Sequence, residues 1–172
     1  MIKYSQELIA FLKKPTLKKD ENINFKYRLK SFIYLLIISL LTSICLSPIF
    51  AIIQETGLVN MDEHAMDEMM KKVSKPMLFF LVVIAAPFIE EFIFRGPITL
   101  FKNSKKFTIV FYSFAILFGF IHITNFTITK NVLLLAPFLV ILQIFLGAYF
   151  GFIRIRFGLF WSIALHLSLI HI

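Results

Sequence analysis

Glu90-Glu91-Phe92-Ile93-Phe94-Arg95 follows thirteen uncharged, mostly apolar residues, Met77 to Ile89. Two carboxylates and a guanidinium at that depth of an apolar run belong inside a lipid bilayer. A charge near the bilayer centre costs from about 3 kcal/mol on insertion scales to much more on an isolated helix. Such residues are therefore paired, and they are candidates for function by default.

The rest of the chain agrees with a membrane setting. Hydrophobic residues make up 59% of 172, with 22 Phe, where soluble domains run nearer about half apolar. A crossing needs roughly 20 apolar residues, so this length allows four to six. Five apolar segments stand out: about 31–53, 77–100, 107–124, 131–153 and 158 to the C-terminus. The last holds only fifteen residues, short for a full span at about 1.5 Å rise per residue. The expected fold is thus all-α, a polytopic membrane protein of about five transmembrane helices enclosing an intramembrane polar site. No cleavable signal peptide is expected, because the first apolar run begins only after some thirty mostly polar residues. The lone Cys45 sits in an apolar run and reads as a small buried hydrophobe.

The net charge of +8 follows membrane topology rather than a nucleic-acid surface. Residues 1–30 carry eight basic side chains: Lys3, Lys13, Lys14, Lys18, Lys19, Lys26, Arg28 and Lys30. The loop 54–76 carries three (Lys71, Lys72, Lys75) against five acids (Glu55, Asp62, Glu63, Asp67, Glu68). Next come Lys102, Lys105 and Lys106, then Lys130 alone, then Arg154 and Arg156. This alternation predicts a cytoplasmic N-terminus, an outside C-terminus and a multi-pass protein of the inner or plasma membrane. Residues 1–30 are a basic cytoplasmic segment and 31–172 the membrane domain. Within the first, Tyr4, Leu8, Phe11 and Leu12 form one apolar stripe on a helix stopped near Pro15, suited either to an interfacial helix or to a solvated tail.

On a helix Glu91 and Arg95 are one turn apart, with the acid N-terminal, the favourable order for an ion pair. Glu90 points about 100° away and has no partner on its own helix. It must meet another segment, meet water, or take up a proton; a carboxylate in a small wet cavity suits general-base work. His122 and His166, each inside apolar sequence, are the candidate partners. Gly96-Pro97 should distort the second helix just after Arg95. Counted from that break, Glu90 lies about 10 Å deep, against about 13 Å for His166 and 24 Å for His122, so the third residue fits loosely. Gln143, Gly147 and Gly151 share a face of the fourth segment, which predicts close helix packing with Gln143 hydrogen-bonding across it. His171 is turned away from His166, and His64 with its acidic loop reads as an exposed connection.

Glu90-Glu91-x-x-x-Arg95, Phe118-x-x-x-His122 and His166, in that order, resemble the motifs of the CAAX-protease and bacteriocin-processing (CPBP, or Abi) family of intramembrane proteases. The resemblance spans about 77–170. It implies an intramembrane endopeptidase cutting a membrane-associated protein or peptide, in which Glu90 activates a water and His122 helps hold it. It further implies that Glu91 pairs with Arg95 and that His166 donates a hydrogen bond to the oxyanion. The family's third motif ends in Asn, where this chain has Ile170; Asn125, Ser162 or Ser168 are the available replacements. Glu90, His122 and His166 would also serve as ligands if zinc (Zn2+) is bound, with an open position for water. The spacing lacks His-Glu-x-x-His, which favours a metal-free mechanism. The expected partners are membrane lipid and the peptide substrate, with no nucleic acid. Two rivals stand beside this reading. One is a non-catalytic relative acting as a membrane binding or bacteriocin self-immunity protein. The other is a small proton-coupled carrier, disfavoured by the absence of paired broken helices.

Overall fold

A computed structural model describes residues 2–59, 73–101 and 106–171. His64 and the acids Asp62, Glu63, Asp67 and Glu68 lie outside the described residues, as do Lys71, Lys72, Lys102 and Lys105. Helix α1 spans Ile2–Lys13 and α2 spans Phe25–Glu55, whose N-cap Asn24 accepts from the Tyr27 N–H at 3.2 Å. Lys75–Phe79 (α3) passes through a π-helical stretch, Phe80–Ala85, into Ala86–Arg95 (α4) and a 3-10 turn, Pro97–Phe101. Then come α5 (Phe107–Ile121) with a 3-10 turn His122–Asn125, α6 (Lys130–Leu139), α7 (Ile141–Phe157) and α8 (Leu159–Ile170). The chain is an all-α polytopic membrane protein.

The five apolar segments of the sequence all fold as helix. Among the described residues three helical stretches are long and apolar enough to cross a bilayer, Phe25–Glu55, Lys75–Phe101 and Phe107–Asn125. Lys130–Leu139 and Ile141–Phe157, bent by 40°, make a fourth if they count as one span. Pro137 supplies no N–H to α6, and Val140 leaves helical geometry at φ −111°, ψ 9°. The fifth segment, α8, is 12 residues long, about 18 Å, short of the roughly 30 Å hydrocarbon core. Isoleucines and leucines such as Ile33, Ile37, Leu41 and Ile44 of α2 stand exposed along one side, and Cys45, expected to be buried, is exposed beside Ile44. In water that would be a liability; against lipid tails it is the normal surface.

Helices α5 and α7 form the tightest contact, and Gly147 is the reason. A Cβ there would meet Phe118 Cδ1 at 3.0 Å and the Ala115 carbonyl oxygen at 3.1 Å. Small residues let two backbones approach where lipid offers no hydrophobic drive to associate. At the other end of α7, Gly158 adopts φ 106°, a left-handed conformation that disfavours a side chain. The turn it makes folds α8 back along α7.

Residues 1–30 are pinned to the membrane helices. Leu8 is buried with Leu35, Phe152 and Phe157, so the apolar stripe of α1 packs on protein. Arg156 at the end of α7 donates to Glu7 Oε2 at 2.7 Å and to Asp20 Oδ2 at 2.5 Å. The Asp20 N–H in turn donates to the Arg156 carbonyl at 3.1 Å.

Candidate active site

The local bend before the acidic pair sets where those carboxylates point. Pro87 has no N–H to give to the fourth residue before it, and the Ala86 N–H reaches back five residues, to the Leu81 carbonyl. A widened turn of this kind often sits at a functional site. Beyond Arg95 the helix ends on Gly96, whose N–H donates to the Glu91 carbonyl at 3.1 Å, and the chain continues as the 3-10 turn. That continuation narrows the gap in depth between Glu90 and His122. Counting to Phe101 rather than to the break places Glu90 about 18 Å from the helix end, nearer the roughly 24 Å counted for His122.

Glu91 is a fully buried hub. Its Oε1 lies 3.6 Å from Arg95 Nε, as the spacing of the two residues led one to expect. The same carboxylate also receives two groups from α8: Ser162 Oγ donates to Oε2 at 2.5 Å, and His166 Nδ1 stands 3.1 Å from Oε1. Arg95 donates through Nη2 to the Gly147 carbonyl at 3.3 Å, and its guanidinium lies 3.9 Å from the Phe118 ring centroid. A desolvated cation over an aromatic face contributes about 2 kcal/mol. Arginine, glutamate, serine and the glycine carbonyl thus tie α4, α7 and α8 into one buried unit.

Glu90 faces the other way, into a cavity of ≈ 430 Å³. His122, Asn125, Gln143, His166 and Ile170 share its lining, with Leu81, Val82 and Phe150 among its apolar walls. Glu90 Oε2 lies 4.0 Å from His122 Nε2 and 3.7 Å from His166 Nε2. It is buried without a hydrogen-bond partner among the described residues. The three side chains that the sequence proposed as one site do converge.

The imidazole tautomers follow from their partners. A carbonyl only accepts, so His122 Nδ1–H donates to the Phe118 carbonyl at 2.8 Å. His166 Nδ1–H donates likewise to the Glu91 carboxylate. In each neutral ring Nε2 is then a bare acceptor facing Glu90. His166 is further fixed by stacking on Phe150, with centroids 4.6 Å apart and planes at 23°.

Of the three replacements considered for the motif Asn, Ser162 is committed to Glu91 and Ser168 donates to the Ala164 carbonyl of its own helix at 2.8 Å. Asn125 alone of the three lines the cavity. His171 is exposed, next to the Leu167 carbonyl of its own helix. A larger concavity of ≈ 730 Å³ lies between α1 and residues 16–21. There the half-buried Arg156 is already paired with Glu7 and Asp20. The smaller cavity is where unpaired chemistry gathers.

Residues 72–169 match the family model of the type II CAAX prenyl endopeptidases, Rce1-like. That stretch is more than half of the chain and holds Glu90, Glu91, Arg95, His122 and His166. The chain belongs to the Rce1-like family. No curated protein matches it, and no solved structure does. Membership makes it an integral membrane protein of a peptidase family. The match ends one residue before Ile170, the position where the motif Asn would stand.

In an Rce1-like site, Glu90, His122 and His166 are the side chains that would hold a zinc ion. Among the described residues no three His, Cys, Asp or Glu side chains are grouped as the ligands of one ion would be. His166 Nδ1 rests on Glu91, a contact that metal-bound histidines also make, and its Nε2 faces Glu90.

Sequence reasoning did not anticipate three parts of this Rce1-like site. Ser162 binding Glu91 was legible only as a hydroxyl one turn before His166. Phe118 beneath Arg95 was visible as a motif position without a role. The widened turn ahead of Glu90 had Pro87 as its signal.

Proposed function

We propose that the chain is an intramembrane endopeptidase that hydrolyses a peptide bond of a membrane-associated protein or peptide. One observation carries the reading: a buried, unpartnered Glu90 oxygen within 4.0 Å of two imidazole nitrogens on two other helices. A water there faces three acceptors, Glu90 Oε2 and the two Nε2 atoms, but has only two hydrogens to give. In the proposed mechanism His166, whose other nitrogen already rests on the Glu91 carboxylate, carries a proton. Protonated His166 then donates through Nε2, while Glu90 and His122 hold the water.

In the reaction the water oxygen bonds to the peptide carbonyl carbon as its proton passes to Glu90. The carbonyl electrons move onto oxygen, which His166 Nε2–H stabilises as an oxyanion; one such donor contributes a few kcal/mol to the transition state. The oxyanion collapses, the C–N bond breaks, and Glu90 returns its proton to the leaving amine. Glu91, Ser162 and Arg95 position His166 and touch no substrate. The alternation of basic residues supports a cytoplasmic N-terminus, in the inner or plasma membrane.

Ile170 on the cavity wall favours a second reading, a non-catalytic relative that binds a membrane peptide or confers self-immunity. Mass spectrometry of membrane peptides from cells carrying wild type, Glu90→Gln or His122→Ala separates the two. Fragments made only by the wild type support hydrolysis. A biological effect that survives both substitutions, without such fragments, supports binding alone.

A further inference from the structure

Gln143 sits in the first turn of α7, on the face that continues through Gly147 and Gly151 onto α5. The close approach at Gly147 fixes the backbone beneath it. Gln143 lines the same cavity as Glu90, His122 and His166, and its Oε1 is buried with no partner among the described residues. Leaving an amide oxygen buried and unmet is unfavourable, so a donor is expected there when the site is filled.

The cavity itself says what kind of donor. At ≈ 430 Å³ it far exceeds the volume of a single water, about 30 Å³ in the liquid. Leu81, Val82, Leu146, Phe150 and Leu169 form its apolar walls, with few polar groups between them. That pattern suits an occupant with apolar side chains and a polar spine. Glu90 Oε2 and Gln143 Oε1 are orphan acceptors, and His122 Nε2 accepts in its neutral ring. A peptide backbone supplies N–H donors at fixed spacing and presents a carbonyl for attack.

We propose that Gln143 is a substrate-binding residue whose side-chain Oε1 accepts a backbone N–H of the peptide strand in the cavity. It thereby registers the scissile carbonyl against the water held at Glu90. The same amide has an NH2 end, and its terminal torsion is broad, so it can also meet a substrate carbonyl. This inference rests on the endopeptidase reading and adds the element that holds the peptide in register.

The test uses the full chain in detergent and a fluorogenic peptide ending in prenylcysteine and three further residues, together with copies N-methylated at one backbone nitrogen each. Gln143→Met and Gln143→Leu keep bulk and remove the amide; their melting temperatures report folding. Expected for both is a KM about tenfold higher, the worth of one hydrogen bond, with kcat changed far less. One N-methyl position should raise KM about tenfold for the wild type and leave the Gln143 variants nearly unchanged, since the bond it removes is already gone. If every N-methyl position affects wild type and variants alike while the parent peptide is cut, Gln143 does not hold the backbone and the endopeptidase reading stands. If the wild type cuts none of these peptides, the inference falls together with the reading beneath it.

Discussion

Glu91→Gln is expected to loosen the whole bundle, because it removes the charge on which three helices converge. Glu91 is fully buried and Arg95 is 2% exposed, 3.6 Å apart. Removing one member of a buried pair leaves an uncompensated charge, which costs about 3–5 kcal/mol. Arg95 keeps the Gly147 carbonyl and the Phe118 ring, which holds the loss toward the lower end of that range. For a chain of this size the loss corresponds to a melting temperature roughly 6–20 °C lower. Glu91→Gln combined with Arg95→Met removes the orphan charge, so the double variant should be less destabilised than the sum of the singles, by about 1–3 kcal/mol of coupling. Thermal unfolding in one detergent, followed by tryptophan fluorescence from Trp161, measures all four proteins. A Glu91→Gln protein that melts with the wild type, or singles that simply add, would refute the hub.

Four further outcomes are expected. Glu90→Gln should abolish hydrolysis yet leave the melting temperature near that of the wild type, since Glu90 Oε2 has no partner to lose among the described residues; activity assays beside melting curves check this. Gly147→Leu should destabilise by about 1–3 kcal/mol through overpacking, because even a Cβ there meets Phe118 at 3.0 Å; a variant as stable as wild type would contradict the close approach. Burial pushes the Asp20 carboxyl up, but the Asn22 N–H, Arg156 and Tyr27 outweigh it and hold the group below its ordinary 3.8. Its contribution is therefore complete above the unfolded value and lost as pH falls through the folded one, so wild type should lose more melting temperature than Asp20→Asn between roughly pH 5 and pH 2. Equal losses in both would count against that tie. Peptide cleavage should withstand a strong zinc chelator; loss of activity restored by added zinc would show that the ligand set closes around an ion.

Much of this architecture was written in local pattern. Segment ends fell within a few residues of the helices, because apolar runs bounded by lysines, Pro76 and Gly158 leave a membrane chain little choice. Glu91 with Arg95 followed from helical spacing alone. The proximity of Glu90, His122 and His166 could be suspected from their isolation in lipid, but the depth counted for Glu90 depended on the 3-10 turn after Gly96. Sequence spacing says where a helix is disturbed and not whether the chain then continues in the same direction. Ser162 and Gln143 were opaque for a different reason. A hydroxyl bonded to its own helix, as Ser168 is, and one aimed at a carboxylate on another look identical in a sequence. Gln143 read as packing because it shares a face with two glycines, yet it lines the cavity.

The most direct measurement is hydrolysis by purified, reconstituted protein in heavy-oxygen water, read by mass spectrometry of the products. The wild type should leave one heavy oxygen in each new C-terminal carboxylate, with none formed by Glu90→Gln or His122→Ala. Products of the same mass and amount from Glu90→Gln would contradict a water activated at Glu90.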